Sequence, residues 1–318
     1  MTVTPSGKVQ HVDVSSEDEG IRLDRWFKRH VPQLSFGQVS KMLRKGEIRL
    51  DGKRAEAKTR ISQGQTLRIP PLDGRVSEQQ ASAAPLRFTE EDEAFVQSLI
   101  LHEDDTVMVL NKPPGLPTQG GSGVTRHLDG LLKGYGKRGA RLVHRLDKDT
   151  SGVIIVGKGP AATAALADQF RQRDTEKIYH ALTVGVPTPL EGEVNAPIEK
   201  MPGRAGEKMV VSETGKSAVT LYEVLDRAGN RCALVQLQPL TGRTHQLRVH
   251  MAHRDCPILG DGKYGGAEAY ITGSISRKLH LHAKTLKLAH PDGGMLSVEA
   301  DYPPHFKSSL TALGLEAA

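Results

Sequence analysis

From residue 96 onward the chain is a succession of short apolar or alternating segments, each closed by Gly, Pro, Asn or Asp. Such segments are strands, because successive side chains point to opposite faces of a sheet and turn residues end the run. Residues 106–110, 153–156, 177–186, 218–225, 233–237, 279–288 and 295–300 fit this pattern. Among them, residues 163–173 read as a helix, with Leu166 and Phe170 on one face. Consecutive strands with few intervening helices predict an α+β unit: a mixed, largely antiparallel central sheet with flanking helices, not a regular series of βαβ units.

Residues 21–70 follow another grammar. They hold thirteen Lys/Arg and four Asp/Glu, whereas the first twenty residues carry a deficit of three and the last 248 are balanced. The formal net charge of +6 therefore belongs to one short segment. A positive patch focused on a small unit is the footprint of a polyanion-binding accessory domain; the plainer reading is a charged, solvated surface. Leu23, Trp26 and Phe27 fit an amphipathic helix ending near Pro32, and Ser35 can cap a second over residues 36–45. That helix buries Val39 and Leu43, exposes Lys41, Arg44 and Lys45, and stops at Gly46. Residues 48–50 and 66–69 alternate as strands, with a hairpin signal at Asp51-Gly52.

The expected organisation is a disordered tail over 1–19, a small α+β unit over 20–71, a Ser/Gln/Ala-rich linker over 72–95, a large unit over 96–310 and a tail over 311–318. The longest apolar runs, such as residues 152–157, are strand-sized, which argues against a membrane-spanning chain. The first twenty residues lack the apolar stretch of a signal peptide, and two cysteines, Cys232 and Cys256, make no disulfide framework. The expectation is a cytoplasmic protein, and nothing demands more than a monomer.

The densest polar cluster, residues 144–152 (His-Arg-Leu-Asp-Lys-Asp-Thr-Ser-Gly), lies directly before an apolar strand. Side chains there are held at the rim of the sheet, where sites are commonly built. Asp147 stands between Arg145 and Lys148. Neighbouring cations favour the charged form of a carboxyl, so Asp147 reads as an ionised nucleophile or electrostatic stabiliser, or as a turn residue satisfying backbone amides. Asp147 and Asp149 could be read as the two carboxylates of a glycosidase. That chemistry needs one carboxylic acid with a raised pKa in an apolar pocket, and the surrounding Arg and Lys push the other way.

A second cluster spans residues 241–250, Thr-Gly-Arg-Thr-His-Gln-Leu-Arg-Val-His. Gly242 marks a turn ahead of a helix that carries His245, Gln246, Val249 and His253. Arg243 at its start could clamp a carboxylate or sit in an ordinary surface ion pair. His245, His250 and His253 lack an HExxH or CxxC companion, so no metal site is expected. His280 and His282 share a strand face and read as packed structural groups. The Gly-rich residues 118–124 lack the Lys-Ser/Thr of a phosphate-binding loop, and no cofactor is expected.

These clusters carry a resemblance. Residues 141–152 look like the signature of the RluA family of pseudouridine synthases, and residues 106–117 resemble its opening strand and Lys-Pro-Pro-Gly turn. Lys177-Ile-Tyr179 is similar to its basic–x–Tyr motif, residues 240–250 to its arginine motif and residues 279–283 to its C-terminal strand. The basic segment from Arg22 to Lys53 resembles an S4 RNA-binding domain, with Ser35-Phe36 where that pattern usually has Ser-Arg. The resemblance implies the pseudouridine synthase fold and a cofactor-free isomerisation of uridine in RNA. Asp147 would be the catalytic aspartate, with Arg243 paired to it. Tyr179 would stack on uracil and assist proton removal. Arg145 would fill the gap left by a flipped nucleotide, and Leu281 and His144 would line the pocket. Arg25, Lys41, Arg44, Lys45 and Lys53 would contact RNA. The branch it most resembles modifies large-subunit ribosomal RNA, free or in an assembly intermediate. Rival readings are the same reaction on transfer RNA or another ribosomal site, a non-catalytic ribosome-assembly factor, and an N-glycosidic hydrolase that would release free uracil.

Overall fold

The computed structural model describes residues 7–72, 88–121, 124–135, 139–202 and 207–316. The chain divides into two compact units, Met1–Arg87 and Phe88–Ala318.

The first unit contains β1 (Gln10–Asp13), α1 (Leu23–His30), α2 (Phe36–Lys45), β2 (Arg49–Leu50), β3 (Lys53–Arg54) and β4 (Thr66–Ile69), with sheet order β1-β4-β2-β3. Helix α2 has the expected bounds for a local reason. Gln38 N–H donates to the Ser35 hydroxyl, and the Gln38 side-chain oxygen accepts from Ser35 N–H at 2.8 Å, a reciprocal cap. Gly46, at φ 70°, closes the other end. Asp51 (φ 49°) and Gly52 (φ 74°) make the tight β2–β3 turn, a conformation that few other pairs adopt without strain. Trp26, Phe27, Leu23, Ile48, Ile61 and Leu67 are buried in one core.

Residues 10–13 differ from the expected disordered tail, since they pair antiparallel with β4. Their polar alternation gives no apolar signal, and their partner strand is distant in sequence. The expected linker also needs correction. Residues 73–87 lie outside the described residues, but α3 (Glu90–Leu99) starts well before residue 96, capped by Thr89 and Asp92.

The second unit adds β5 (Ile100–Glu103), β6 (Val107–Lys112), α4 (Leu128–Tyr135), β7 (Ala140–Leu142), β8 (Ser151–Lys158) and α5 (Pro160–Gln172). Then come β9 (Glu176–Val184), β10 (Glu191–Asn195), β11 (Ile198–Met201), β12 (Lys208–Val211), β13 (Val219–Ala228), β14 (Cys232–Pro239) and α6 (Gln246–His253). The last elements are β15 (Leu281–Ala289), β16 (Met295–Glu299) and α7 (Pro304–Leu313). Ten strands form one sheet in the order β10-β13-β14-β9-β15-β8-β6-β5, with β7 on β8 and β16 on β15. Strands β11 and β12 form a separate ribbon. Every ladder is antiparallel except β8–β15.

The central strands are apolar on both faces because both faces are covered. Met108, Leu110, Ile154 and Val156 pack against Leu128, Leu131 and Leu132 of α4, while Val107, Val109, Val153 and Ile155 pack with Leu166 of α5. The expected tail at 311–318 is, as far as residue 316, the end of α7 and a buried Leu315 packed beside Leu234 and Leu259. An apolar Leu after the Gly314 cap is the signal that a tail reading overlooked.

One edge of β15 forks. His282 and Ala283 pair with Ser151 and Gly152 of β8, and from Thr285 onward that strand pairs with β16 instead. Gly152 (φ +108°) is required at the fork: a Cβ there would stand 2.1 Å from the Ala283 carbonyl oxygen.

Candidate active site

Asp147 lies on the turn that leads into β8, at the fork. Both sides of that turn are clamped by the segment after β6. Lys112 is fully buried, and its ammonium donates to the carbonyls of Pro113 (3.0 Å), Leu116 (2.9 Å) and Lys148 (3.0 Å). Gly115 N–H donates to the Lys148 carbonyl at 2.9 Å. The Thr118 hydroxyl donates to the Leu146 carbonyl at 2.6 Å and accepts from Leu146 N–H at 3.2 Å. The residues immediately before and after Asp147 are thus fixed by three side chains or amides of another segment, which is how a carboxylate on a loop acquires the rigidity of a strand. Burial lowers the Lys112 pKa to about 8, with Asp149 and Asp147 opposing, so the ammonium is still mostly charged at neutral pH. Lys112 was not among the expected site residues; a lysine ending an apolar strand just before Pro-Pro-Gly was the available signal.

Asp147 faces α6. Arg248 Nη1 stands 3.5 Å from its Oδ2 and His245 Nε2 3.6 Å from the same oxygen. The Arg248 guanidinium is held in a fork by Asp261, Nε to Oδ2 and Nη2 to Oδ1, both at 2.8 Å. Burial works against the Arg248 charge, but the Asp261 bonds and the Asp147 carboxylate outweigh it and raise its pKa.

This corrects the expected pairing of Arg243 with Asp147. Arg243 precedes the helix, and its Nε donates to the Ser217 carbonyl at 2.9 Å. Arg248 lies one turn beyond His245, so the two side chains share a helix face. The turn before α6 is built by Gln246, whose oxygen accepts from the Thr241 hydroxyl (2.7 Å) and Arg243 N–H (3.0 Å). Its amide donates to the Val219 carbonyl and the Thr220 hydroxyl.

Two cavities meet at Asp147. One, of 460 Å³, is lined by Tyr179, Leu281, His144, Phe170, Lys177 and Arg243; the other, of 760 Å³, by Lys148, Lys263, Arg277 and Lys278. Arg145, Asp147, His245 and Arg248 line both. Tyr179 on β9 is half-buried, and burial together with the Asp147 charge raises its pKa, so the phenol stays protonated. Leu281, 4% exposed, offers an apolar wall. Arg145 is exposed and, among the described residues, has no carboxylate partner. His144 stacks on Phe170 at 4.4 Å, and its Nε2 accepts from Ile155 N–H. Burial, and secondarily Lys177, lowers its pKa to about 3, so it stands as a neutral wall with one nitrogen engaged.

Arg25 on α1, Lys41, Arg44 and Lys45 on α2 and Lys53 on β3 are all exposed on the first unit. Lys45 is 3.9 Å from Glu47, whereas the other four have no carboxylate partner among the described residues. His250, His280 and His282 are buried and hydrogen-bonded to Thr220, Ser309 and Ser151 respectively. Among the described residues no group of three or more His, Cys, Asp and Glu is arranged to hold a metal ion. Asp149 is exposed, so neither carboxylate of the Asp147/Asp149 pair has the apolar pocket a glycosidase acid needs.

Residues 106–253 match the family described as RNA pseudouridylate synthase. "Ribosomal large subunit pseudouridine synthase C" of Escherichia coli (strain K12) is 36% identical over 323 residues, covering 98% of both chains. The protein of that name from Rickettsia bellii is 36% identical over 293 residues, covering 90% of this chain and 95% of its own. Among solved structures, "Human RNA Pseudouridylate Synthase Domain Containing 4" superposes with a TM-score of 0.60 at 32% identity, over 72% of this chain and 98% of that one. Asp147, Tyr179 and Arg248, which line one cavity, all fall within the matched residues. The chain belongs to the RluA-type RNA pseudouridylate synthases and is an isomerase that converts uridine in RNA to pseudouridine.

Proposed function

We propose that the substrate is large-subunit ribosomal RNA and that Asp147 is the catalytic carboxylate. The target is supported by relatives of that name matching nearly the whole chain. The observation that carries the site is the clamped Asp147 turn, open to a cavity walled by Tyr179 and Leu281 and backed by Arg248. A flipped uridine enters that cavity, its ring stacked on Tyr179 and against Leu281. Arg145, exposed and lining the same cavity, takes the place the nucleotide leaves. Asp147 acts on the sugar, the N1–C1′ bond breaks, and the base turns. The C5–C1′ bond then forms, C5 gives up its hydrogen as a proton, and N1 ends protonated. Because burial keeps the Tyr179 phenol protonated, we assign it stacking and not the removal of the C5 proton. Arg248, not Arg243, supplies the fixed positive charge beside Asp147.

The first unit, S4-like in its motifs, adds affinity through exposed Arg25, Lys41, Arg44, Lys45 and Lys53 on RNA phosphates. We place the enzyme in the cytoplasm, as a monomer; no described helix is long and apolar enough to cross a membrane.

The test is tritium release from ribosomal RNA carrying 5-tritiated uridine. Wild type is expected to release tritium without free uracil, and Asp147→Asn to be slower by more than about 10³-fold. Release of uracil, or an Asp147→Asn enzyme as fast as wild type, sinks the reading. Release only from transfer RNA refutes the ribosomal target alone.

A further inference from the structure

His245 sits at the N-terminus of α6 with φ 55° and ψ 20°, in the left-handed region that residues with a branched or bulky side chain avoid. Histidine enters that region more readily than most residues, but Asn and Gly do so with less strain, so its ring contacts give a further reason for a histidine here. The surrounding bonds name it. Nδ1 lies 2.6 Å from the Tyr264 hydroxyl. The Tyr264 oxygen also receives Met209 N–H, at 3.4 Å, which leaves the phenol proton available for donation to Nδ1. A ring that accepts at Nδ1 carries its hydrogen at Nε2, and Nε2 is the atom that faces Asp147 Oδ2 at 3.6 Å.

The same oxygen is approached by Arg248 Nη1, and the Arg248 guanidinium cannot swing because Asp261 grips it twice. Among the described residues no donor reaches Oδ1 of Asp147. We propose that His245 is a positioning residue: with its tautomer set by Tyr264, it and Arg248 hold Asp147 by Oδ2 and leave Oδ1 as the reacting oxygen. The reading rests on Asp147 being the catalytic carboxylate, as proposed above.

The charges around the ring are consistent with a neutral donor. Burial lowers its pKa first; Asp147 and Asp261 pull it up, and Arg248 and Lys263 push it down. Arg248 also lies over the Tyr264 ring, 5.1 Å from its centroid, with the Lys208 and Lys263 ammonium groups at 5.3 and 5.9 Å.

Two substitutions separate side-chain positioning from a backbone role. In His245→Gln the amide nitrogen stands as many bonds from Cβ as Nε2 does and can still donate toward Asp147. In His245→Asn the amide reaches only as far as Nδ1, but Asn is the better residue for φ 55°. The assay is tritium release from 5-tritiated-uridine ribosomal RNA, with kcat and KM measured separately and thermal melts recorded for each variant. His245→Gln is expected within about threefold of wild type in kcat, and His245→Asn about 10- to 100-fold slower at unchanged KM. Tyr264→Phe, which frees the tautomer, should fall between them. Equal kcat for Gln and Asn, or a faster Asn enzyme, overturns the proposal, as does a loss expressed only in KM. The Asp147→Asn control keeps the two readings distinct. If it is inactive while His245→Asn is not slowed, the positioning role fails alone; if wild type itself releases no tritium from ribosomal or transfer RNA, the proposed function fails and takes this inference with it.

Discussion

Replacing Arg248 by Met removes the charge but keeps most of the side-chain stem, and its cost can be worked from the contacts. Asp261 is 1% exposed and loses two 2.8 Å charged bonds, keeping only the backbone N–H groups of Lys263 (3.2 Å) and Tyr264 (3.3 Å). Breaking a buried ion pair from one side costs about 3–5 kcal/mol, because the remaining charge has neither water nor partner. At roughly 2.1 cal/mol/K of unfolding entropy per residue, a unit running from residue 88 to 318 should lose about 6–10 °C in Tm. Asp261→Asn in the same background removes the orphaned charge while keeping its amide acceptor, and should restore about half the loss. The assay is thermal unfolding followed by circular dichroism. The sole tryptophan, Trp26, belongs to the other unit, so its fluorescence transition serves as an internal reference expected to stay in place. Arg243→Met, which forfeits one bond to the Ser217 carbonyl, should cost less than about 1 kcal/mol. Turnover should follow the same order, with Arg248→Met slower by about 10²-fold and Arg243→Met within a few-fold of wild type. An Arg248→Met shift below about 2 °C, or no recovery in the double variant, would refute the reasoning.

Two further outcomes follow from the core. His180, His280 and His282 are buried, and burial lowers each pKa to about 4. The unfolded chain, with ordinary histidines, binds more protons between pH 6.5 and 4, so stability is full above 6.5 and falls as pH drops through that window. The loss from pH 6.5 to 5.5 should be about 3 kcal/mol for the three together, and a urea midpoint unchanged over that range would contradict it. Gly152→Ala should lower stability by more than about 3 kcal/mol and abolish turnover, because the new methyl meets the Ala283 carbonyl and the backbone is held at φ +108°. Wild-type melting and tritium release from that variant would show that the fork yields.

Much of the site was legible because its residues are consecutive. The polar run before β8 marked Asp147, and the helix start after Gly242 marked the segment that faces it. Choosing between Arg243 and Arg248 required side-chain direction. A residue ahead of a helix points by its own turn, whereas residues one turn apart on the helix share a face, and the His245–Arg248 spacing held that information. Lys112 escaped notice because a buried ammonium bonded only to carbonyls leaves no charge pattern in sequence. The cap at Thr89 and Asp92 was a readable signal for α3 that the acidic composition around it obscured. Strand β1 had no such signal, since two half-buried and two exposed residues make a strand only when β4 is there to receive them.

The fork of β15 has a consequence for how alignment is kept. Side chains alternate along a strand, so sliding β15 by a single residue against β8 would exchange Leu281 and His282, putting an imidazole into the cavity wall and a leucine against the Ser151 hydroxyl. Only two residue pairs resist that slip on the β8 side. His282 adds to them, bonded to Ser151 Oγ at 2.9 Å on one nitrogen and facing the Ala300 carbonyl at 3.2 Å with the other. That imidazole acts as a locating pin: it admits one position of the strand, and the position it admits is the one that sets an apolar side chain in the same cavity wall as the Asp147 turn.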